Sequence, residues 1–224
     1  MKTSLKSVHL KGISVAMLII GEVLMQFVYQ FLIGSGVKPL PWQMILYQIG
    51  HFLYLGAFPL FAFLLVEGAK KTAKKRLFLC RLFLAGVVTE IILDIAFYGF
   101  DISLYGVYPS NYFFTLFLGL FVICCVEKLT NYMTAGAFVY NLITLGLYII
   151  VAIIAQLLQL EQGSLGILVI LALYLCYGNR LFSLVFVGVL YLLFLKGVGI
   201  FSIIPACSLI LLWFYKGVEG KNIL

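Results

Sequence analysis

The sequence predicts an all-α fold, a polytopic transmembrane bundle of about eight helices with both termini in the cytoplasm. Of its 224 residues, 64% are hydrophobic and only 10% are charged. In soluble domains about a quarter of the residues are charged. The apolar residues lie in runs long enough to cross a bilayer, and the polar gaps between them are short. We therefore expect residues 1–224 to form a single integral membrane domain.

The charge and the cysteines also indicate which kinds of partner to expect. The formal net charge is +7, but the basic residues lie in short loops, which the positive-inside rule explains better than binding to nucleic acid. The lipid bilayer is the expected partner, and no nucleic acid is expected. The five cysteines lie within apolar stretches without paired spacing, so the sequence predicts neither a disulfide framework nor a metal site.

The first span runs from about Gly12 to Ile33 and carries a polar stripe. Glu22, Gln26 and Gln30 are spaced four residues apart, which places them on one face of an α-helix. The stretch is too long for the core of a signal peptide, so it should remain as a helix. Because polar side chains are costly against lipid, we expect the stripe to face the bundle interior.

A short basic link joins the second span, from about Trp42 to Glu67, to the third, from about Leu77 to Phe97. Pro59 lies in the middle of the second span, where it removes a backbone donor and should kink the helix. The third span contains three charged residues: Arg81, Glu90 and Asp94. Since a charge at membrane depth costs at least about 2.5 kcal/mol, these positions indicate a buried or functional site.

Four further apolar runs complete the series: residues 112–126, Met133–Leu158, 165–177 and Leu181–Tyr215. The last run is too long for one helix and is interrupted by Lys196 and Gly197, so it predicts two short helices. At about 1.5 Å per residue, each of these would barely cross the hydrocarbon. The total is eight spans.

The basic residues predict the orientation. If the link between the second and third spans is cytoplasmic, both termini, Lys128 and Arg180 are cytoplasmic as well, and Lys38 and Lys196 are left in outer loops. Counting about 1.5 Å per residue then separates two polar levels. The inner level surrounds the basic link, and the outer level lies in the opposite half of the bilayer.

Candidate catalytic residues belong mainly to the outer level. Glu90 and Asp94 are spaced i, i+4 and project from one helix face; two carboxylates this close suit proton transfer or capture of an amine. Glu22, near mid-membrane, and His51, near the outer end of its helix, are further candidates. The alternative is structural, with hydrogen bonds that tie helices together and an interfacial histidine.

Three amide and hydroxyl residues reach the same outer level and are candidates for substrate binding: Gln26, Asn111 and Thr115. Asn111 opens the fourth span directly after Pro109 and Ser110. A helix N-cap is therefore its default role.

The inner level contains a carboxylate among cations. Glu67 and Arg81, with the link lysines Lys71 and Lys75, form a candidate site for the phosphate groups of a cytoplasmic ligand. The structural alternative is an ion pair between Glu67 and Arg81 across the hairpin.

These motifs resemble those of the TraX family, membrane proteins named for acetylation of the N-terminus of conjugative pilin. The family pattern reads roughly F-P-x-F-A-F-L-x-x-E-G, then a Thr in a basic link, R-L, a helix like S-E-x-P-F-D, and N-x-x-F-T-x-x-x-G. The matching residues here are Phe58 to Phe63, Glu67-Gly68, Thr72, Arg81-Leu82, Thr89-Glu90, Asp94, and Asn111 to Gly119 with Thr115. The resemblance is strongest over residues 10–120.

The resemblance implies acetyl transfer in a bacterial cell (cytoplasmic) membrane. Acetyl-CoA, bound at the inner level, would be the donor, and an amine or hydroxyl group at the outer face, such as the N-terminus of a small peptide or pilin-like protein, the acceptor. The family usually carries an Asp-His pair in the first helix, where this chain has Met17 to Gly21; Glu22 and His51 are the nearest substitutes. It also usually has an Arg where this chain has Leu55.

Two other functions remain open from the sequence. The missing Asp-His pair favours a catalytically inactive relative that binds a peptide as an accessory protein. The intramembrane carboxylates would also suit a small proton-coupled transporter, although no internal repeat is visible.

Overall fold

A computed structural model of the chain describes residues 6–32, 40–98, 111–132, 137–194 and 199–215. These ranges contain eight helical elements, which confirms the all-α prediction. Seven are α-helices: α1 (Ser7–Leu32), α2 (Pro41–Lys71), α3 (Lys75–Tyr98), α4 (Tyr112–Tyr132), α5 (Ala137–Leu157), α6 (Gly163–Leu175) and α7 (Arg180–Phe194). The eighth is a 3₁₀ helix, η1 (Gly199–Trp213).

Four of the described helices are long and apolar enough to cross a membrane: α1, α2, α4 and α5. Helix α3, which contains Arg81, Glu90 and Asp94, has 24 residues and is about 36 Å long. The 13 residues of α6 and the 15 of α7 give only about 20 and 22 Å, less than the hydrocarbon thickness of about 30 Å. The lengths and composition are those of an integral membrane helix bundle.

The last apolar run forms two helices, as predicted, because α7 ends at Phe194 and η1 begins at Gly199. The predicted break at Lys196 and Gly197 lies outside the described residues. The second of these helices is 3₁₀ over 15 residues. At about 2.0 Å per residue, η1 spans about 30 Å, so it covers the length that an α-helix of 15 residues does not.

The basic link is shorter than the sequence predicts. Helix α2 continues one turn past Glu67 to Lys71, and α3 already begins at Lys75. Alanine and lysine favour helix, and lysines in the last turn of α2 compensate the negative end of its dipole. The link is thereby reduced to residues 72–74.

Contacts divide the chain into two compact units, residues 1–64 with 176–224 (unit 1) and residues 65–175 (unit 2). In unit 1, α1 and α2 approach closely at two glycines. A Cβ atom added at Gly21 would lie 2.6 Å from the backbone nitrogen of Tyr54, and one at Gly50 would lie 2.8 Å from Cβ of Leu24. Only glycine allows this approach of two helix backbones.

Unit 1 also repairs the hydrogen bond that Pro59 removes from α2. A proline at position 59 cannot donate to the carbonyl of Leu55, four residues earlier. The hydroxyl of Tyr191 in α7 donates to that carbonyl over 3.2 Å, and both residues are buried. Arg180, at the start of α7, likewise donates to the carbonyl oxygens of Trp213 and Tyr215, near the end of η1.

In unit 2, α4 is the central helix and packs against α3, α5 and α6. Its buried face includes Leu116, Leu120 and Ile123. Gly119 lets the side chain of Ile170 from α6 lie directly against the α4 backbone. The packing of α3 against α4 brings together two of the helix ends that carry the candidate inner site.

Candidate functional site

The basic end of unit 2 contains two cavities, one on each side of the link between α2 and α3. The first has a volume of about 500 Å³ and is lined by three cations, Lys71, Lys74 and Arg81, together with the apolar Leu77 and Phe78. We name it the Arg81 cavity. Because α3 rises about 1.5 Å per residue, Arg81 lies about 10 Å further along the helix axis than Lys74. The Arg81 cavity therefore has cations at both of its ends.

The second cavity, also of about 500 Å³, lies on the α4 side of the same link. Its polar lining comes from Lys75, Arg76, Glu127 and Lys128. We name it the Glu127 cavity. Its remaining lining residues are smaller or apolar: Thr72, Ala73, Leu79, Phe121, Cys124 and Cys125.

Each cavity adjoins an ion pair. Glu67 is buried and binds Lys71, one turn later in α2, with 2.5 Å between Oε1 and Nζ. Lys75 of α3 binds Glu127 of α4. The pair of Glu67 with Arg81 across the hairpin stays a prediction, whereas its pair with Lys71 lies within one helix. The extra turn of α2 brings Lys71 onto the face of Glu67.

The net charge of this end is strongly positive. Seven cations of the described chain surround the link: Lys70, Lys71, Lys74, Lys75, Arg76, Arg81 and Lys128. Two carboxylates, Glu67 and Glu127, offset them in part. Lys70 also lies over the ring of Tyr174, 4.6 Å from its centroid. A field of this sign and density attracts polyanions.

The structure joins two of the predicted outer residues. The Nδ2 group of Asn111 donates to the carboxylate of Glu90 and, over 3.2 Å, to the carbonyl of Gly86. Its Oδ1 accepts from the backbone nitrogen of Phe113, the second residue of α4, at 3.0 Å. The predicted N-cap is confirmed, and Asn111 also ties α4 to α3.

The other outer residues of unit 2 are less closely connected. Thr115 is buried, and its hydroxyl donates to the backbone carbonyl of Glu161 in the turn between α5 and α6. Asp94 lies in α3 one turn beyond Glu90, but its side chain is outside the described residues. Of the predicted substrate-binding residues in this unit, Asn111 and Thr115 thus serve the packing of the helices.

The remaining outer candidates belong to unit 1. Gln26 donates to the carboxylate of Glu22 over 3.3 Å, which confirms that they share one face. The side chain of Gln30 is outside the described residues. His51 is half-buried and stacks on Tyr47, with 6.3 Å between the ring centroids. The approach of Gly21 to Gly50 places Glu22 and His51 at about the same level of the α1–α2 pair.

Apart from Lys75, the charged residues that shape the Glu127 cavity were not singled out from the sequence. Glu127 and Lys128 appear in the sequence only as the polar end of the fourth span, and Arg76 as part of the link. Their common cavity depends on the packing of α3 against α4, which no spacing within one helix reveals. A carboxylate at the inner end of a span, next to a basic link, is the one available signal.

One of three comparisons with known proteins found a match. The sequence profile of the family described as "TraX protein" matches residues 9–222, well beyond residues 10–120, where the motifs lie. Comparisons with curated proteins and with solved structures returned no match. Since the profile covers nearly the whole chain, the protein belongs to the TraX family.

Proposed function

We propose that this protein is an integral membrane acyltransferase. It would take an acetyl group from cytoplasmic acetyl-CoA and deliver it to an amine or hydroxyl acceptor, such as a peptide N-terminus, at the outer face of a bacterial cytoplasmic membrane. Membership of the TraX family supports this function in general. The distribution of charge in the Arg81 cavity supports it in particular.

The Arg81 cavity has the charge pattern that coenzyme A requires. The coenzyme carries a diphosphate and a separate ribose phosphate, so its anionic groups are spread over an extended molecule. The cavity offers Lys71 and Lys74 at one end and Arg81 about 10 Å away. Arginine can bind a phosphate group in a bidentate manner, whereas the lysines act as point charges.

The four residues predicted to bind the donor divide into two sets. Lys71 and Arg81 line the Arg81 cavity, and Glu67 holds Lys71 there through their ion pair. Lys75 lines the Glu127 cavity instead. In the proposed function, Lys74 takes the place that the sequence assigned to Lys75.

Acetyl transfer needs a base for the acceptor. The acceptor nitrogen or oxygen attacks the thioester carbonyl, a C–N or C–O bond forms, and the C–S bond breaks to release the thiol of coenzyme A. A general base removes the proton of the acceptor, and hydrogen-bond donors stabilise the oxyanion. We assign the base to Glu90, whose carboxylate Asn111 holds in place, with Asp94 one turn away and Glu22 and His51 as the candidates in unit 1.

One observation favours a second function, that of an inactive relative which binds a peptide. Asn111 uses its amide on Glu90, Gly86 and the start of α4. A residue engaged in this way serves the scaffold. In that case the outer carboxylates hold helices together and acetyl transfer is lost.

The donor site is tested by thermal unfolding of the purified protein with and without coenzyme A. We expect coenzyme A to raise the unfolding midpoint, because a ligand that binds the folded state stabilises it. Arg81→Gln should abolish the rise, and added salt should weaken it, since the contacts are charged and exposed.

Lys128→Gln is the matched control, because it removes one cation of the same end of the protein but lines the other cavity. It should leave most of the rise in place. A parent protein that shows no rise, or an Arg81→Gln variant that keeps it, would contradict the donor site. Transfer of label from acetyl-CoA to a candidate peptide separates the active enzyme from the inactive relative.

A further inference from the structure

We infer that the Glu127 cavity binds the phosphate headgroup of an anionic phospholipid from the leaflet that borders the basic end of unit 2. This site is separate from the donor site and does not depend on acetyl transfer. The inference rests on where the cavity is charged, where it is apolar, and which of its residues are exposed.

The Glu127 cavity is cationic at its mouth and apolar at depth. Arg76 and Lys128 stand at the beginning of α3 and near the end of α4, and both are exposed. Phe121 lies seven residues before Lys128, about 10 Å deeper along α4, and Leu79 lies one turn into α3. A ligand that fits this gradient has an anionic head and an apolar chain.

The Arg81 cavity has a different gradient, although its volume is the same. There the cations stand at both ends, which suits an extended polyanion rather than an amphiphile. The two cavities share the link between α2 and α3 but use different cations on its two sides. We therefore expect the two cavities to bind different classes of ligand.

Acyl chains can reach the apolar part of the Glu127 cavity directly. The side chain of Phe121 is 47% exposed, and Phe83, one turn beyond Leu79 in α3, is exposed as well. In an integral membrane protein such surfaces contact lipid chains. Basic residues at the membrane surface then attract anionic headgroups within a Debye length.

Substitution of Glu127 tests the inference, because removing its negative charge should have the opposite effect on lipid binding from removing a cation. The carboxylate of Glu127 lines the cavity and binds Lys75. The carboxylate therefore repels a phosphate group, and its ion pair competes with the phosphate for Lys75. Glu127→Gln keeps the shape, removes the negative charge and releases Lys75. This variant should bind an anionic headgroup more tightly, whereas loss of Arg76 or Lys128 should weaken binding.

The experiment uses the full chain in a neutral detergent and follows the thermal unfolding midpoint during titration with short-chain phosphatidylglycerol. We expect a saturable rise, shifted to roughly fivefold higher lipid concentration in Arg76→Gln and in Lys128→Gln, the effect of one basic residue at a membrane surface. Glu127→Gln should shift it to lower concentration. Arg81→Gln, which alters the other cavity, should leave it unchanged.

Two further ligands separate the possible sources of the effect. Phosphatidylcholine of the same chain length should give no such rise, and inorganic phosphate should give a much weaker one. An equal rise with phosphatidylcholine would show a general effect of lipid and overturn the inference. An equal rise with inorganic phosphate would make this a site for soluble anions, and an unchanged titration in all three cavity variants would place the lipid elsewhere.

Discussion

At the scale of single residues, Asn111 is the clearest example of a side chain with two structural roles. Its oxygen caps α4 and its nitrogen holds Glu90 and the carbonyl of Gly86 on α3. It is only 5% exposed, so its hydrogen bonds form in a low dielectric, where an unsatisfied group is expensive. The position of the proposed base therefore depends on a residue that does no chemistry itself.

A pair of substitutions separates the two roles. Asn111→Asp keeps the oxygen that caps α4 but replaces both donors with a carboxylate facing Glu90, and we expect it to cost about 2–4 kcal/mol of stability. Glu90→Gln keeps an acceptor for Asn111 and should cost less than about 1 kcal/mol. In the double variant the new amide donates to the new carboxylate, so much of the lost stability should return.

Denaturation in mixed micelles measures the stability, and transfer of labelled acetyl measures the activity. The proposed base requires that Glu90→Gln and the double variant be folded but inactive. Full activity in Glu90→Gln would remove Glu90 from the chemistry and leave it as scaffold. Additive losses of stability in the double variant would contradict the hydrogen bond between the two side chains.

Residue pairings were predictable from the sequence only where they are local. The N-cap at Asn111 followed from its position at the start of an apolar run, because capping involves the next few residues. The pair of Glu67 and Lys71 is also local, but it depends on α2 continuing past Glu67. The pair of Lys75 and Glu127 joins two helices, and nothing in the sequence spacing could indicate it.

At the scale of helices, α2 and α7 show how an apolar helix tolerates a proline. Pro59 leaves the carbonyl of Leu55 without its usual donor, and Tyr191 supplies one from the neighbouring helix. Water is excluded there, so the carbonyl would otherwise be unsatisfied. The hydroxyl of Tyr191 therefore has a structural function that its apolar surroundings do not suggest.

Tyr191→Phe should destabilise the protein by about 1–3 kcal/mol, the cost of a buried polar group that loses its partner. In a Pro59→Ala background the alanine nitrogen can donate to Leu55, so the same substitution should cost much less. The free energies of unfolding of the parent, the two single variants and the double variant, measured by denaturation in mixed micelles, give the comparison.

Tyr148→Phe is the control, because Tyr148 is also fully buried but its hydroxyl has no hydrogen-bond partner among the described residues. Its removal should cost almost nothing. An equal loss of stability for Tyr191→Phe in both backgrounds would refute the repair of α2 by α7.

The helices themselves were largely predictable, because the lengths of apolar runs decide them. The two elements after Arg180 were expected from the interruption at Lys196 and Gly197. The 3₁₀ form of η1 was not expected, since residue periodicity in a uniformly apolar segment does not separate it from an α-helix. The end of α2 was misjudged because the lysines were assigned to a loop, although lysine is a good helix former.

At the scale of the whole molecule, the positive charge collects at one end of unit 2, and the direction of that end decides which compartment supplies each ligand. Acetyl-CoA is a cytoplasmic metabolite, so the donor proposal needs the Arg81 cavity to open to the cytoplasm. The positive-inside rule gives the same orientation from the basic residues alone. A topology measurement therefore tests the proposed function as well as the fold.

Single cysteines provide this measurement in a variant whose five native cysteines are replaced. Ala73→Cys lies exposed in the link between α2 and α3, and Asp101→Cys lies in the segment after α3, outside the described residues. With an impermeant maleimide on intact cells, we expect Asp101→Cys to be labelled and Ala73→Cys to be protected. Both should react once the membrane is permeabilised, which controls for burial. The reverse pattern would place both cavities on the outer side, where acetyl-CoA is absent, and the acyltransferase proposal would fail even with every helix intact.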